Sequence, residues 1–407
     1  MRKKANRANA RKGSGRRPRP APRHPNVIPY AHQSIDAADI RAVTEVLKSD
    51  WLTTGPKVKE FEDAVADCVH AKAGVAVASG TAALHAAAYA AGIGPGDEVI
   101  VPAMTFAASA NCVVYLGGTP LFADVLEDSL LLDPAEVEEK ITPHTKAIMA
   151  VDYTGQPCDY DALQAIANRH GLTLIADSAH ALGAEYKGRM VGTLADLTTF
   201  SFHAVKHVTT GEGGMVVTDD LELAKRMRRF RNHGISTDSR AREERGTWYY
   251  EMVDLGYNYR LTDLQCALGL SQLQKLPRSL ARRRSIAKWY DEAFTEIPGI
   301  EPLGVSPDVL HAYHLYVVRI DPEKTGMDRG TAFRMLRERG IGVNVHYIPV
   351  HLHPYYRKRF GTGPGLCPVA EAAYERILSL PMFPAMTDAD LERVVDSVEQ
   401  VARALGT

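Results

Sequence analysis

Apolar positions follow two rhythms along the chain. Between residues 34 and 69 they recur every three or four positions. Ile40, Val43, Val46 and Leu47 form one stripe and Val58, Phe61, Val65 and Val69 a second, the spacing of two amphipathic helices. Ser34 and Asp36 stand where an N-cap would start the first of them. Then short, wholly apolar runs alternate with helical periods: Val75–Ala78, Glu98–Val101, Pro120–Asp124, Lys146–Val151, Thr173–Asp177, Leu197–Phe202 and Met215–Thr218. A strand that is apolar on both faces belongs to a sheet covered on both sides, so these runs predict a mostly parallel, seven-stranded α/β sheet. Past Leu261 the pattern predicts two long helices, Thr262–Leu276 and Leu280–Ile297. A strand-like run, Tyr313–Ile320, then opens a smaller C-terminal α/β region that ends in a helix over Asp388–Leu405. The expected organisation is a basic, disordered tail (1–25), a large domain (26–275), and a helical link with a small C-terminal domain (276–407).

Composition narrows the class. The 407 residues are 45% hydrophobic and 24% charged, enough for a globular core. The net charge of −1 conceals an asymmetry: residues 1–25 hold ten Lys or Arg and no acid, leaving the remainder near −11. The tail lacks an apolar stretch of secretory-signal type. It reads as a solvated extension, with an anionic or nucleic-acid surface as the other use of such charge. Ala73–Gly96 is free of charged residues but consists mostly of Ala and Gly with Ser79, Thr81 and His85 inside it, so a buried strand and helix fit better than a membrane span. Five scattered cysteines without a CxxC pair suggest reduced thiols in a cytoplasmic protein.

Three stretches carry candidate chemistry. In VAVASGTAALHAAAYAAG (75–92) a strand turns into a helix through Ser79-Gly80-Thr81, whose free N–H groups suit a phosphate; an ordinary capped turn is the plain alternative. In LTLIADSAHALGA (172–184) Asp177 closes a buried strand, where open α/β sheets hold their ligands, with His180 nearby. A helix cap would also use an Asp there. In TFSFHAVKHVTTGEGGMVVT (199–218) Lys206 is the only Lys or Arg between Arg189 and Lys225, in a loop rich in Ser, Thr, His and Gly. Such a lysine can have a lowered pKa and form a Schiff base; a solvated loop lysine is its plain alternative. A phosphate cup, a pyridinium partner and a Schiff-base lysine are the parts that pyridoxal 5'-phosphate (PLP) requires. Phe106, in VPAMTF, is either a stacking ring or core. His346, His351 and His353 lack the HExxH or cysteine company of a metal site, GIGPGD lacks the spacing of a dinucleotide loop, and no GxSxG is present. A DNA-binding regulator, prompted by the tail, is the non-enzymatic alternative.

From Ile28 to Ala404 the chain resembles the DegT/StrS family of PLP-dependent sugar aminotransferases. The resemblance rests on SDWLTTGPKVKEFE, ASGTAALHAA, GDEVIVPAMTF, TGQPCD, ADSAHALGA, SFHAVKHVTTGEGG and LGYNYRLTDLQCALGLSQL. IPYAHQSID, WYYEMVDLGYNYR, HYIPVHLHPYY and ILSLPMFPAMTDAD look most like the branch that makes pseudaminic acid. The resemblance implies an aspartate-aminotransferase-like fold (type I), a homodimer with shared active sites, L-glutamate as donor and a UDP-linked 4-keto sugar as acceptor. Another nucleotide 4-keto or 3-keto sugar is the alternative acceptor. By position, Lys206 becomes the Schiff-base lysine and Asp177 the partner of the ring nitrogen. His180 falls near the ring hydroxyl, and Gly80, Thr81 and Ser201 at the phosphate. Asn258 is the residue a neighbouring subunit would lend. Tyr30, Trp51, Leu52, Thr53, Ser79, His346 and Tyr347 fall in the sugar-nucleotide pocket. Ser178 stands where many relatives have Ala. Some relatives replace the lysine by His and dehydrate their substrates; Lys206 favours transamination.

Overall fold

The computed structural model describes residues 27–404 apart from 238–241, 243 and 244; the basic tail therefore lies outside the described residues. Helix α1 (Ala37–Leu47) starts at Asp36, whose carboxylate accepts the Ala38 and Asp39 N–H groups while Asp39 accepts that of Asp36. This reciprocal cap satisfies donors that a helix start leaves open. Helix α2 (Pro56–Cys68) buries Phe61 and Val65.

The main sheet has the expected seven strands, with ends shifted by one or two residues. They are β1 (Ala73–Val77), β2 (Glu98–Pro102), β3 (Thr119–Ala123), β4 (Thr145–Val151), β5 (Thr173–Asp177), β6 (Leu197–Ser201) and β7 (Gly214–Thr218). Their order is β1-β7-β6-β5-β4-β2-β3. All neighbours are parallel except β7, which runs against both β1 and β6. Helix α3 (Gly80–Ala90), in which six of eleven residues are alanine, packs on β6, β7, α4 (Ala108–Tyr115) and α6 (Leu221–Phe230), while α5 (Tyr160–His170) packs on β4 and β5. Small side chains let α3 lie close between its neighbours. The charge-free stretch is thus β1 plus a buried helix, and among the described residues no helix is long and apolar enough to cross a membrane.

Helix α7 (Asp263–Leu273) ends three residues, and α8 (Leu276–Phe294) starts four residues, earlier than the apolar pattern predicts. Pro277 sits in the first turn of α8, where its missing N–H costs nothing. Beyond α8 a second core forms on the antiparallel sheet β8 (Ile300–Pro302), β9 (Tyr316–Ile320) and β10 (Ile377–Leu380), covered by α9 (Arg329–Glu338) and α10 (Asp388–Arg403). Ile28, from before α1, packs into this second core. Strand β9 begins at Tyr316 and not at Tyr313, because Tyr313 has φ of 47° and the Tyr313 and His314 carbonyls accept from buried Arg283.

Helix α1 departs from its expected stripe. It buries Val46 and the Asp39 carboxylate, which receives Ser271, Gln272 and Lys275, whereas Ile40 and Leu47 are about 60% exposed. Polar bonding to α7, and not the apolar face, decides how α1 sits on its own chain.

Candidate active site

A cavity of about 530 Å³ opens at the C-terminal ends of β5 and β6, walled on one side by the segment 344–347 and on the other by the start of α3. In an open α/β sheet this is the edge where strand ends leave room for a ligand. Into it come Ser79, Gly80, Thr81, Asp177, Ser201, His314, Tyr30 and Tyr347 from elements far apart in sequence.

The turn into α3 is tightly built. Ser79 caps the helix through its hydroxyl, which accepts the Ala82 N–H at 3.1 Å. A helix gives the Gly80 and Thr81 N–H groups no carbonyl of its own. Gly80 has to lack a side chain, since a Cβ there would lie 2.9 Å from Ser201 Cβ. The turn and the end of β6 therefore close on one point with two amides and the Ser201 hydroxyl. This arrangement favours an oxyanion.

Asp177 ends β5 and is 6% exposed. One oxygen accepts from the Ser109 hydroxyl at 2.6 Å and the other from the Ala179 N–H at 3.2 Å. Burial pushes its carboxyl up, while Ser109, Ala179 and the charge of Lys206 hold it down. Next to it, Asp152 accepts from Ser178, Tyr160 and the Cys158 N–H, and burial raises it to about 6. Ser178, the departure from Ala, thus serves a buried carboxylate behind the site.

Lys206 is surrounded by histidines. Its Nζ lies 3.3 Å from His314 Nε2, and burial brings the amine down to about 7, with buried Arg283 adding to the effect and Asp177 opposing it. The His314 ring lies tilted against that of His180, 4.4 Å between ring centroids, and burial drives both well below the ordinary imidazole range. His180 Nε2 meets the Tyr347 hydroxyl at 3.1 Å; Tyr153 donates to the His346 carbonyl. Among the described residues, His180 Nδ1 and His314 Nδ1 are buried without a hydrogen-bond partner.

The cavity gathers eleven of the fifteen sequence candidates: Tyr30, Ser79, Gly80, Thr81, Phe106, Asp177, His180, Ser201, Lys206, His346 and Tyr347 line it, and the Phe106 and Tyr347 rings lie 5.8 Å apart there.

 Ser178, the departure from Ala, stands directly behind, next to Asp177 in the chain and bonded to Asp152. The other four, Trp51, Leu52, Thr53 and Asn258, do not reach the cavity of their own chain. Thr53 bridges to Thr262 and Asn258 to Asn232, and Trp51, Leu52 and Asn258 are exposed. Sequence reasoning missed Ser109, His314 and Arg283. A hydroxyl in the apolar run ASANCVVY and the paired histidines of HAYHL were the available signals.

A mostly parallel seven-stranded sheet that carries a buried lysine, an anion-receptive turn and a strand-end aspartate in one cavity defines a type I PLP-dependent aminotransferase. Pyridoxal phosphate suits the residues present: the Gly80 turn leaves no room for a Cβ, and His180 keeps an unpartnered buried nitrogen. Residues 33–399 match the DegT/DnrJ/EryC1/StrS aminotransferase family, and the chain belongs to it as a PLP-dependent sugar aminotransferase. The spore coat polysaccharide biosynthesis protein SpsC of Bacillus subtilis is 46% identical over 378 residues, covering 92% of this chain and 97% of that protein. Among solved structures, Helicobacter pylori PseC, an aminotransferase involved in the biosynthesis of pseudoaminic acid, is 33% identical with a TM-score of 0.87, covering 93% of this chain and 100% of that one. DesI, solved in the presence of its TDP-sugar product, is 35% identical with a TM-score of 0.84, covering 94% and 95%.

Proposed function

We propose that the chain moves the amino group of L-glutamate to C4 of a UDP-linked 4-keto-6-deoxy-2-acetamido sugar, in nucleotide-sugar biosynthesis of the pseudaminic-acid type. The observation that carries the reaction class is Lys206, a buried amine brought down to about 7, in one cavity with Asp177 and the Ser79–Thr81 turn. The likeness to PseC supports the finer choice of sugar.

In this reading Gly80, Thr81 and Ser201 hold the phosphate of PLP, Asp177 faces its ring nitrogen, His180 bonds its ring hydroxyl and Phe106 covers the ring. When bound, the cofactor supplies an electron sink for the carbon that carries the amino group. Asp177, ionised, keeps a proton on the ring nitrogen by charge. Lys206, close to its neutral point at pH 7, takes and returns the proton at the carbon that carries the amino group. Tyr30, Ser79, His346 and Tyr347 shape the sugar side of the cavity. Trp51, Leu52, Thr53 and Asn258 complete the site of a second copy, so the active form is a homodimer with shared sites; their distance from their own cavity supports this. The free thiols support a cytoplasmic location.

A second reading keeps the chemistry and changes the acceptor to another nucleotide 4-keto or 3-keto sugar, and the likeness to DesI favours it. Amination assays with glutamate against a panel of UDP- and TDP-linked 4-keto and 3-keto sugars separate the two. The UDP-linked 2-acetamido 4-keto sugar should be preferred about tenfold or more in kcat/KM, the scale of discrimination from a few pocket contacts. Preference for a TDP-linked or 3-keto sugar would select the second reading.

A further inference from the structure

We propose that Thr105 and Ser109 are positioning residues for the transamination, a one-way hydroxyl relay that fixes the orientation and charge of the Asp177 carboxylate. The inference rests on the reading that Asp177 faces the ring nitrogen of PLP.

Ser109 lies in the first turn of α4, is fully buried and has a single hydroxyl hydrogen. Asp177 Oδ2, 2.6 Å away, accepts this bond, and in the ionised form that the proposed role of Asp177 requires it has no hydrogen to give. The Phe106 carbonyl is the other acceptor in reach, at the longer distance of 3.3 Å. The Ser109 hydrogen therefore goes to Asp177. Thr105 Oγ1 is 2.7 Å from Ser109 Oγ, and with the Ser109 hydrogen committed, Thr105 has to be the donor between them. The direction of the chain is thus fixed: Thr105 gives to Ser109, and Ser109 gives to Asp177. Both hydroxyls sit at the back of the cavity that Thr105 and Asp177 line. A hydroxyl polarised by a preceding donor is a stronger donor itself, and a bond to a charged acceptor is about twice as strong as a neutral one.

The relay opposes a real cost. Burial disfavours the charged form of Asp177, and the Ser109 hydroxyl is the largest single influence against it. The other groups that face this carboxylate are Lys206, which helps, and Asp152, whose like charge is felt across the same interior. The Cys112 thiol and Tyr347 hydroxyl also lie in its field, and both are kept neutral by burial. Replacing Ser109 alters none of these four side chains. Its loss should therefore appear as a shift in the pH at which Asp177 loses its charge.

The test strips PLP from the full-length chain and measures PLP affinity by absorbance titration across about pH 5 to 8, where carboxylate linkage is read. Wild type, Ser109→Ala, Ser109→Thr, Thr105→Val and Asp177→Asn are compared, with circular dichroism as a check of folding. Ser109→Ala should move the acid limb of PLP binding up by about one pH unit, a roughly tenfold loss at the acid end with little change near pH 8. Thr105→Val should move it the same way by less, and Ser109→Thr should restore the wild-type limb. Weakening by Ser109→Ala that is equal at every pH, or no weakening while Asp177→Asn is impaired, would overturn the relay. If Asp177→Asn itself binds PLP normally, the reading of Asp177 has failed, and the relay with it. Should Ser109→Thr not fold, the direction of the Thr105→Val shift decides: an unmoved acid limb rejects the relay.

Discussion

An amine that must accept a proton near neutral pH needs its charged form made costly, and burial beside Arg283 does this for Lys206. Because the folded-state value is depressed to about 7, the amine is neutral above that pH and charged below it. The stripped chain should therefore capture PLP at a rate that climbs through about pH 7 and then levels. An ordinary lysine, with a value of 10.5, would keep climbing into alkaline solution. Lys206→Ala should lower transamination by about a thousandfold, within the span of general acid–base catalysis, in a steady-state assay of 2-oxoglutarate release. Asp177 was legible because it closes an apolar run, and Lys206 because it is the only Lys or Arg between Arg189 and Lys225, in a polar loop between two strands. Ser109 and His314 were not. Ser109 meets Asp177 across 68 positions and His314 meets Lys206 across 108, and only the folded sheet edge creates those contacts.

At the scale of elements, the Ser79–Thr81 turn is fitted against β6 with no slack. Gly80→Ala places a Cβ 2.9 Å from that of Ser201, so the turn has to move. Overpacking of this kind costs about 1–3 kcal/mol, and if the moved backbone holds the phosphate as proposed, PLP affinity should fall roughly tenfold or more in a direct titration. The exposed face of α1 and the segment 248–257, where Trp248, Met252 and Leu255 are the most exposed large apolar residues, are the surfaces a second copy would cover. Mixing Lys206→Ala with Asn258→Asp checks the exchange. If Asn258 serves the other subunit, a mixed dimer has one site with both lesions and one intact site, and activity returns. If it serves its own, every site keeps a lesion and the mixture stays inactive; each single variant must first be inactive and able to exchange subunits. The strands were readable because a doubly covered strand is apolar throughout. The reversed direction of β7 was not, since an antiparallel strand with both faces buried carries the same pattern. The orientation of α1 was hidden for a related reason: its apolar stripe did not reveal that Asp39 would anchor it to α7.

Across the whole molecule, histidine burial sets the response to acid. Burial lowers His85 and His346 to about 4 and His311 to about 3, and drives His180, His207 and His314 well below the ordinary 6.5. Below pH 6.5 the unfolded chain binds protons that the folded chain refuses, so stability falls as pH falls, by up to about 1.4 kcal/mol per pH unit for each histidine. Asp152 and Asp177, raised in the folded state, act in the opposite sense but are outnumbered. The urea midpoint of the PLP-free chain should therefore drop steeply between about pH 6.5 and 5, and a flat midpoint would show that these imidazoles titrate normally. The fold class followed from the alternation of apolar runs with helical periods, whereas the seating of Ile28 in the second core depends on a long-range pairing with Ile341 that no local pattern announces. The most direct measurement uses the PLP-loaded chain, glutamate labelled with nitrogen-15 and a UDP-linked 2-acetamido-4-keto-6-deoxy sugar, with the products read by mass spectrometry and nuclear magnetic resonance. The label should appear on C4 of the sugar, one equivalent for each 2-oxoglutarate formed, and Lys206→Ala should slow its appearance about a thousandfold. A sugar product without the label, or labelling by Lys206→Ala at the full rate, would contradict the assignment.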